Sequence, residues 1–83
     1  MNFETATEKA KVFTKIPPDS VFLEFYGLYK QATVGDCNIA KPGTLDLKGK
    51  AKWEAWNSRK GLTQDEAKKA YIAIYEKYAP QYA

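Results

Sequence analysis

The chain has 83 residues, of which 45% are hydrophobic and 28% charged, a composition typical of a folded domain rather than a disordered segment. It contains no histidine and a single cysteine, which removes the usual general base near neutral pH, the common zinc-ligand spacings and any internal disulfide. We therefore expect one domain over residues 1–83 that is not an enzyme, holds no metal and needs no cofactor.

Cys37 is the only cysteine in the chain, and it would need a partner to become a reactive thiolate. Its neighbours Asp36 and Asn38 supply no cation that would stabilise a thiolate, so we interpret it as a half-buried small residue or a tolerated loop thiol. A lone cysteine, an amino terminus without a secretory pattern and the lack of a long apolar stretch together favour the cytoplasm.

The net charge of +3 is unevenly distributed along the sequence. Residues 41–60 contain six basic side chains and two acidic ones, and a positive field of this kind attracts phosphates or a nucleic-acid backbone.

The first predicted helix covers about residues 2–16, where apolar residues recur at spacings of three and four (Phe3, Ala6, Ala10 and Phe13). Pro17 and Pro18 are expected to end it, because neither ring can continue the hydrogen-bond ladder.

The second predicted helix begins with Asp19 or Ser20 as its cap and ends near Ala32. At 100° per residue it has a core stripe formed by Val21, Phe25, Leu28 and Ala32. A second arc carries Phe22, Tyr26, Tyr29, Lys30 and Thr33. The three residues that point away from both are Glu24, Gly27 and Gln31.

Turn residues dominate about residues 34–47, and Leu45 and Leu47 are expected to hold this loop to the core. A third helix is predicted over about residues 48–58. A fourth starts at a capping box of Thr63 and Glu66 and ends before Pro80, with an inward stripe of Ala67, Ala70, Tyr71, Ile74 and Tyr78. Four helices without a strand predict an all-α bundle.

Two groups of residues could bind an anionic aromatic ligand. Tyr26, Tyr29 and Lys30 share one helix surface and could bind a phosphate and stack on a base; they could equally be packing residues and a solvated charge. The second group lies at the start of the third helix, where free N–H groups also favour an anion: Lys48, Lys50 and Lys52.

The remaining candidates have simple structural interpretations as well. Trp53 and Trp56 are core residues, although Trp53 beside Lys52 could equally form a groove wall. Tyr71 is a core residue, and Lys11 is a surface charge. Lysine with interleaved aromatic residues can also contact single-stranded nucleic acid, but the modest charge, the single arginine and the lack of a nucleic-acid-binding motif disfavour that alternative.

The segments YGLYKQATVGD and KPGTLDLKGKAKWEAWN, together with AYI at residues 70–72, closely resemble the acyl-CoA-binding protein family, also called the diazepam-binding inhibitor family. The resemblance covers nearly the whole chain and implies an up-down-down-up four-helix bundle. It also implies a monomeric carrier that binds, buffers and transports medium- to long-chain acyl-CoA esters. We expect no nucleic-acid partner and no stable membrane insertion, while transient contact with membranes or enzymes is compatible with such a carrier.

The resemblance also implies the ligand-binding residues. Those matched to the CoA head, chiefly its ribose phosphate, are Tyr26, Lys30 and Lys52, and Tyr29 is matched to the ring that stacks on adenine. Further contacts are implied for Lys11 and Tyr71, and peripheral ones for Lys48 and Trp53. Gly27 and Leu28, which lie in the same run from residue 26 to residue 30, are also expected among the ligand-binding residues.

Two segments depart from the family pattern. Residues 16–25, IPPDSVFLEF, are unusually apolar and place Phe22 on the ligand-side arc, which predicts an altered chain-length preference or groove opening. The tail YEKYAPQYA is also atypical, and the sequence assigns it no function.

Overall fold

Four α-helices and no strand make up the computed structural model, which describes residues 1–83. The helices are α1 (Phe3–Lys11), α2 (Asp19–Thr33), α3 (Leu47–Asn57) and α4 (Gln64–Tyr82). The predicted all-α class is confirmed. None of the four combines the length and the apolar character that crossing a membrane requires.

Ring contacts between the helices establish their directions. Phe3 near the start of α1 packs on Tyr29 late in α2, and Phe13 after α1 packs on Phe25 earlier in α2. The same two residues, Phe3 and Phe13, meet Tyr71 and then Tyr82 in ascending order along α4. Helix α1 is therefore antiparallel to α2 and parallel to α4. Helix α3 runs in the same direction as α2, because Lys52 lies near Tyr26 and Trp56 near Lys30. The predicted up-down-down-up order is confirmed.

The core lies between α1, α2 and α4. It contains the whole predicted stripe of α2 and nine buried residues in total: Phe3, Ala6, Val21, Phe25, Leu28, Ala32, Ala67, Tyr71 and Tyr75. Helix α3 adds one buried side chain, Trp56, outside this cluster. Burying an apolar stripe of this kind is the main source of helix stability in a small domain.

The third side of α2, which the sequence left without a role, packs against α3 and the connection to α4. A Cβ at Gly27 would collide with the carbonyl oxygen of Ala55, so glycine permits the two helices to approach closely. Gln31 is fully buried and its Nε2 donates to Asp36 Oδ1 and to the Leu62 carbonyl, each at 2.8 Å. A buried amide needs such partners.

The predicted carboxyl-terminal ends of the first and fourth helices are wrong. Helix α1 ends at Lys11 instead of reaching residue 16. Pro17 disfavours helical geometry only in Ile16, and the Lys15 N–H donates to the distant Tyr82 carbonyl instead of to a carbonyl of α1. Helix α4 continues through Pro80 to Tyr82. A proline so close to a helix end removes little of the ladder, and the N–H of Ala83 still donates to the Ala79 carbonyl at 2.8 Å.

The predicted caps have mixed outcomes. The capping box of Thr63 and Glu66 on α4 is confirmed. Helix α2, in contrast, has Pro18 at its N-cap and no side-chain cap, and Asp19 is its first helical residue. A carboxylate in the first turn still interacts favourably with the helix dipole.

The expectation that Leu45 and Leu47 hold the long loop to the core is wrong, because their side chains are 98% and 74% exposed. Two indole groups of α3 hold the loop instead. Trp53 Nε1 donates to the Ile39 carbonyl and Trp56 Nε1 to the Gly35 carbonyl, both at 2.8 Å. Loop carbonyls need donors when no helix or sheet supplies them.

Candidate functional site

An aromatic groove runs along one side of α2. Helix α1 and the segment that follows it border the groove on the opposite side. Its first part, of about 180 Å³, is lined by Thr7, Lys11, Phe22, Phe25, Tyr26, Tyr29 and Tyr71. Its second part, of about 330 Å³, shares four of these residues and adds Ala10, Phe13, Lys15, Ile16 and Pro17. We call the two parts together the groove.

The α-helical spacing of α2 produces the aromatic wall of the groove. Phe22, Tyr26 and Tyr29 lie on one arc, and the distance along the axis from Tyr29 to Phe22 is about 10 Å. The phenyl ring of Phe25 forms the floor with Tyr71, in an edge-to-face contact with 5.2 Å between ring centroids. Phe22 is 45% exposed and Tyr29 39% exposed, so large apolar surface remains available to a ligand.

Lysine side chains border the groove on two sides. The Lys52 ammonium lies 5.6 Å from the Tyr26 ring centroid and 5.9 Å from that of Phe22, distances at which a cation interacts with an aromatic face. Lys11 lines both parts of the groove. Lys48 joins Lys52 in a neighbouring concavity on the other side of Phe22. The result is an apolar surface flanked by cations that can bind phosphate.

Four predicted site residues therefore line the groove itself, namely Lys11, Tyr26, Tyr29 and Tyr71. Lys52 and Lys48 border it from α3.

The other predicted site residues lie elsewhere. The Lys30 ammonium sits over the Trp56 ring at 4.8 Å from its centroid and does not line the groove. Trp53 is bonded to the loop carbonyl of Ile39. Gly27 faces α3, and Leu28 is 1% exposed within the core.

The amino terminus of α3 differs from the prediction in one respect. We expected its N–H groups to be free for an anion, but Asp46 Oδ1 accepts from the Gly49 N–H at 3.0 Å. An internal carboxylate already caps this helix end, as is typical of an Asp at the N-cap.

The sequence did not assign Phe13 or Lys15 to the site, because the predicted first helix extended through them, although it linked residues 16–25 to the opening of the groove. Phe13, Ile16 and Pro17 line the groove only because α1 ends at Lys11 and the chain then follows the groove. The prolines at positions 17 and 18 gave no signal for the earlier helix end, since a proline restricts only the residue directly before it.

Burial raises the pKa of the Tyr71 phenol to about 12, and the neighbouring Tyr29 adds to this effect. The pKa of Tyr78 is also raised, chiefly because its hydroxyl donates to Glu24 Oε2 at 2.6 Å. In both cases the folded protein favours the neutral phenol over the phenolate.

This shift predicts alkaline destabilisation. The contribution of Tyr71 is fully present below its unfolded pKa of about 10 and is lost as the pH rises toward 12. We expect the free energy of unfolding, measured by urea titration with far-UV circular dichroism, to fall from pH 9 to pH 11. Tyr71→Phe should show a smaller fall over the same interval, because it removes one of the two shifted phenols. An equal fall in both proteins would contradict the assignment.

Solved structures with this arrangement of four helices come from several organisms. Oryza sativa Acyl-CoA-Binding Protein 2 superimposes with a TM-score of 0.86 at 40% identity, covering 90% of this chain and 83% of that one. The Acyl Coenzyme A Binding Protein from yeast gives a TM-score of 0.77 at 41% identity, covering 96% and 93%. The chain therefore has the four-helix fold of these small acyl-CoA-binding proteins.

Sequence comparison agrees with the structural one. A family model described as Acyl CoA binding protein matches residues 1–75. The Acyl-CoA-binding protein homolog of Drosophila melanogaster is 54% identical over 81 residues, which cover 98% of this chain and 94% of the relative. The Acyl-CoA-binding protein of Dictyostelium discoideum is 49% identical over 81 residues, covering 98% and 96%. The chain belongs to the acyl-CoA-binding protein family.

Proposed function

We propose that this protein binds medium- to long-chain acyl-CoA esters without transforming them, and that it buffers and carries them within the cytoplasm as a monomer of one domain. The observation that carries the proposal is the aromatic groove with Lys11 and Lys52 at its borders. An acyl-CoA ester has the matching chemistry, since its phosphates are anionic, its adenine is aromatic and its chain is apolar. The names of the relatives support the same ligand.

The head group is assigned to the Tyr29 end of the groove. Tyr29 is the exposed ring on which adenine can stack, and Tyr26 with the Lys52 ammonium can bind the ribose phosphate. Lys30 can join them only if its side chain leaves the Trp56 ring. Lys48 is a peripheral contact that adds positive charge near the phosphates.

Tyr71 and Lys11 are assigned to the middle of the groove, where the head and the acyl chain meet, because both residues line its two parts. Gly27, Leu28 and Trp53 are assigned supporting roles. They position α2, α3 and the long loop around the site without exposing a side chain to the groove.

The acyl chain is assigned to the part of the groove beyond Phe22 and Phe25. Each methylene removed from water contributes about 0.8 kcal/mol, whereas nanomolar affinity requires about 12 kcal/mol. Because the groove is open to solvent, it shelters only some of the methylenes. Tight binding therefore needs the charged head and the apolar chain together.

A binding function also fits the side-chain chemistry. The groove is lined by aromatic rings, aliphatic groups and lysines, and neither a carboxylate nor a thiol is among its lining residues. The lining groups can hold a thioester but do not form a nucleophile and base pair of the kind that hydrolysis uses.

The proposal is tested by following backbone amide resonances of the labelled protein during titration with palmitoyl-CoA. We expect the largest shifts at Tyr26, Tyr29 and Phe22. The amides of Lys60 and Glu76, which do not line the groove, should change little. Shifts confined to the lysines of residues 41–60 would contradict the groove as the binding site. A single-stranded oligonucleotide that binds as tightly at physiological salt would favour a nucleic-acid partner instead.

A further inference from the structure

The segment that follows α1, residues 13–17, forms one wall of the groove without belonging to a helix. It supplies four of the nine lining residues of the larger part, including Phe13 and Ile16. Ile16 is 97% exposed, so burial does not fix its position. Phe13, at the start of the segment, packs on the Phe25 and Tyr75 rings, with 6.0 and 5.8 Å between ring centroids, but the residues after it need a further attachment.

The attachment is the end of α4. The Lys15 N–H donates to the Tyr82 carbonyl at 3.0 Å, and the Thr14 hydroxyl donates to the same oxygen at 3.4 Å. These are the only hydrogen bonds that join residues 13–17 to the rest of the protein. The Tyr82 ring also packs on Phe13, with 6.2 Å between ring centroids.

The Tyr82 carbonyl is available because of its place in the helix. The last four carbonyls of an α-helix have no donor from a following turn, and Tyr82 is the final residue of α4. A helix that ended before Pro80, as the sequence suggested, would not bring this oxygen to the segment. The extension of α4 through Pro80 therefore gives the atypical tail a structural task.

The head group and this wall lie at opposite ends of the groove. Tyr29 and Tyr26 line only the smaller part, whereas Ile16 and Pro17 line only the larger part. The two parts are joined through Phe22, about 10 Å along α2 from Tyr29. With the head group placed at Tyr29 as proposed, a long acyl chain would reach the wall, whereas a short one would end before it.

We propose that Tyr82 is a positioning residue for acyl-chain length: by holding residues 13–17 in place, it sets how many methylenes the groove shelters. This inference rests on the proposed function and adds a chain-length determinant to it. Tyr82 lies outside the lining of the groove and acts through Phe13, Thr14 and Lys15.

The test compares palmitoyl-CoA with hexanoyl-CoA in calorimetric titrations of a variant that lacks residues 80–83. Affinity for palmitoyl-CoA should fall about tenfold, the change expected when roughly two methylenes lose their shelter. Affinity for hexanoyl-CoA should stay within about twofold, since its chain does not reach the wall. Gln81→Ala is the matched control, because Gln81 is exposed in the same turn, and it should leave both affinities unchanged.

Tyr82→Ala provides a second variant, which keeps the carbonyl acceptor but loses the ring contact with Phe13. It should also weaken palmitoyl-CoA more than hexanoyl-CoA, and it replaces the deletion if circular dichroism shows that the shortened chain has lost helicity. Equal losses for the two esters, or no loss for either, would overturn the inference while the proposed function stands. If the intact protein binds neither ester, the proposed function itself fails.

Discussion

Replacing Lys52 by methionine is expected to weaken palmitoyl-CoA binding about 10- to 100-fold without unfolding the protein. A hydrogen bond to a charged group contributes roughly 1.5–3 kcal/mol, which corresponds to this range of affinity. The Lys52 ammonium lies beside the Tyr26 and Phe22 rings, where a phosphate can approach it from solvent. Methionine retains an unbranched apolar side chain against Phe22 but removes the charge.

Lys60→Met is the matched control for this substitution. Lys60 belongs to the same basic stretch of residues 41–60 and is exposed, but it does not line or border the groove. Calorimetric titration should show a loss of less than about threefold for Lys60→Met, because a distant surface charge is screened at physiological ionic strength. Similar losses in the two variants would mean that a diffuse positive field attracts the ligand. Loss of helicity in Lys52→Met would mean that Lys52 is a packing residue.

The features that were predictable from the sequence are those that depend on local pattern. Apolar spacing identified the core stripe of α2, and all four of its residues are buried. The capping box at Thr63 was predictable for the same reason, because it involves residues only three positions apart.

The failures arose where contacts distant in sequence decide the local structure. The chain after α1 is held by the Tyr82 carbonyl, 67 residues from Lys15, which no local pattern reveals. The long loop is held by the indoles of Trp53 and Trp56 rather than by Leu45 and Leu47. Hydrophobicity favoured the leucines, but the requirement of the loop carbonyls for donors proved more important.

Part of the lining of the groove was predictable from the sequence, but its geometry was less so. Family resemblance singled out Lys11, Tyr26, Tyr29 and Tyr71, which the fold brings to one groove. Lys30 was expected beside the two tyrosines because it shares their helix. A helical-wheel argument gives the direction of a side chain without its neighbours, and the nearest ring to the Lys30 ammonium is contributed by α3.

The largest expected effect concerns the ligand. Free CoA and free palmitate should each bind at least about a thousandfold more weakly than palmitoyl-CoA. Sheltering about five methylenes contributes roughly 4 kcal/mol, which is a factor of about a thousand in affinity, and palmitate in turn lacks the phosphates that Lys52 and Tyr26 would bind. The open shape of the groove limits the apolar contribution but does not abolish it.

Isothermal titration of the purified protein with palmitoyl-CoA, kept below its micelle threshold, is the most direct measurement. Parallel titrations with CoA and with palmitate determine what each half of the ligand contributes. We predict one-to-one binding at nanomolar strength for the ester, with both halves much weaker. Free CoA binding as tightly as the ester, or an ester that does not bind, would contradict the assignment of the groove to an acyl-CoA ester.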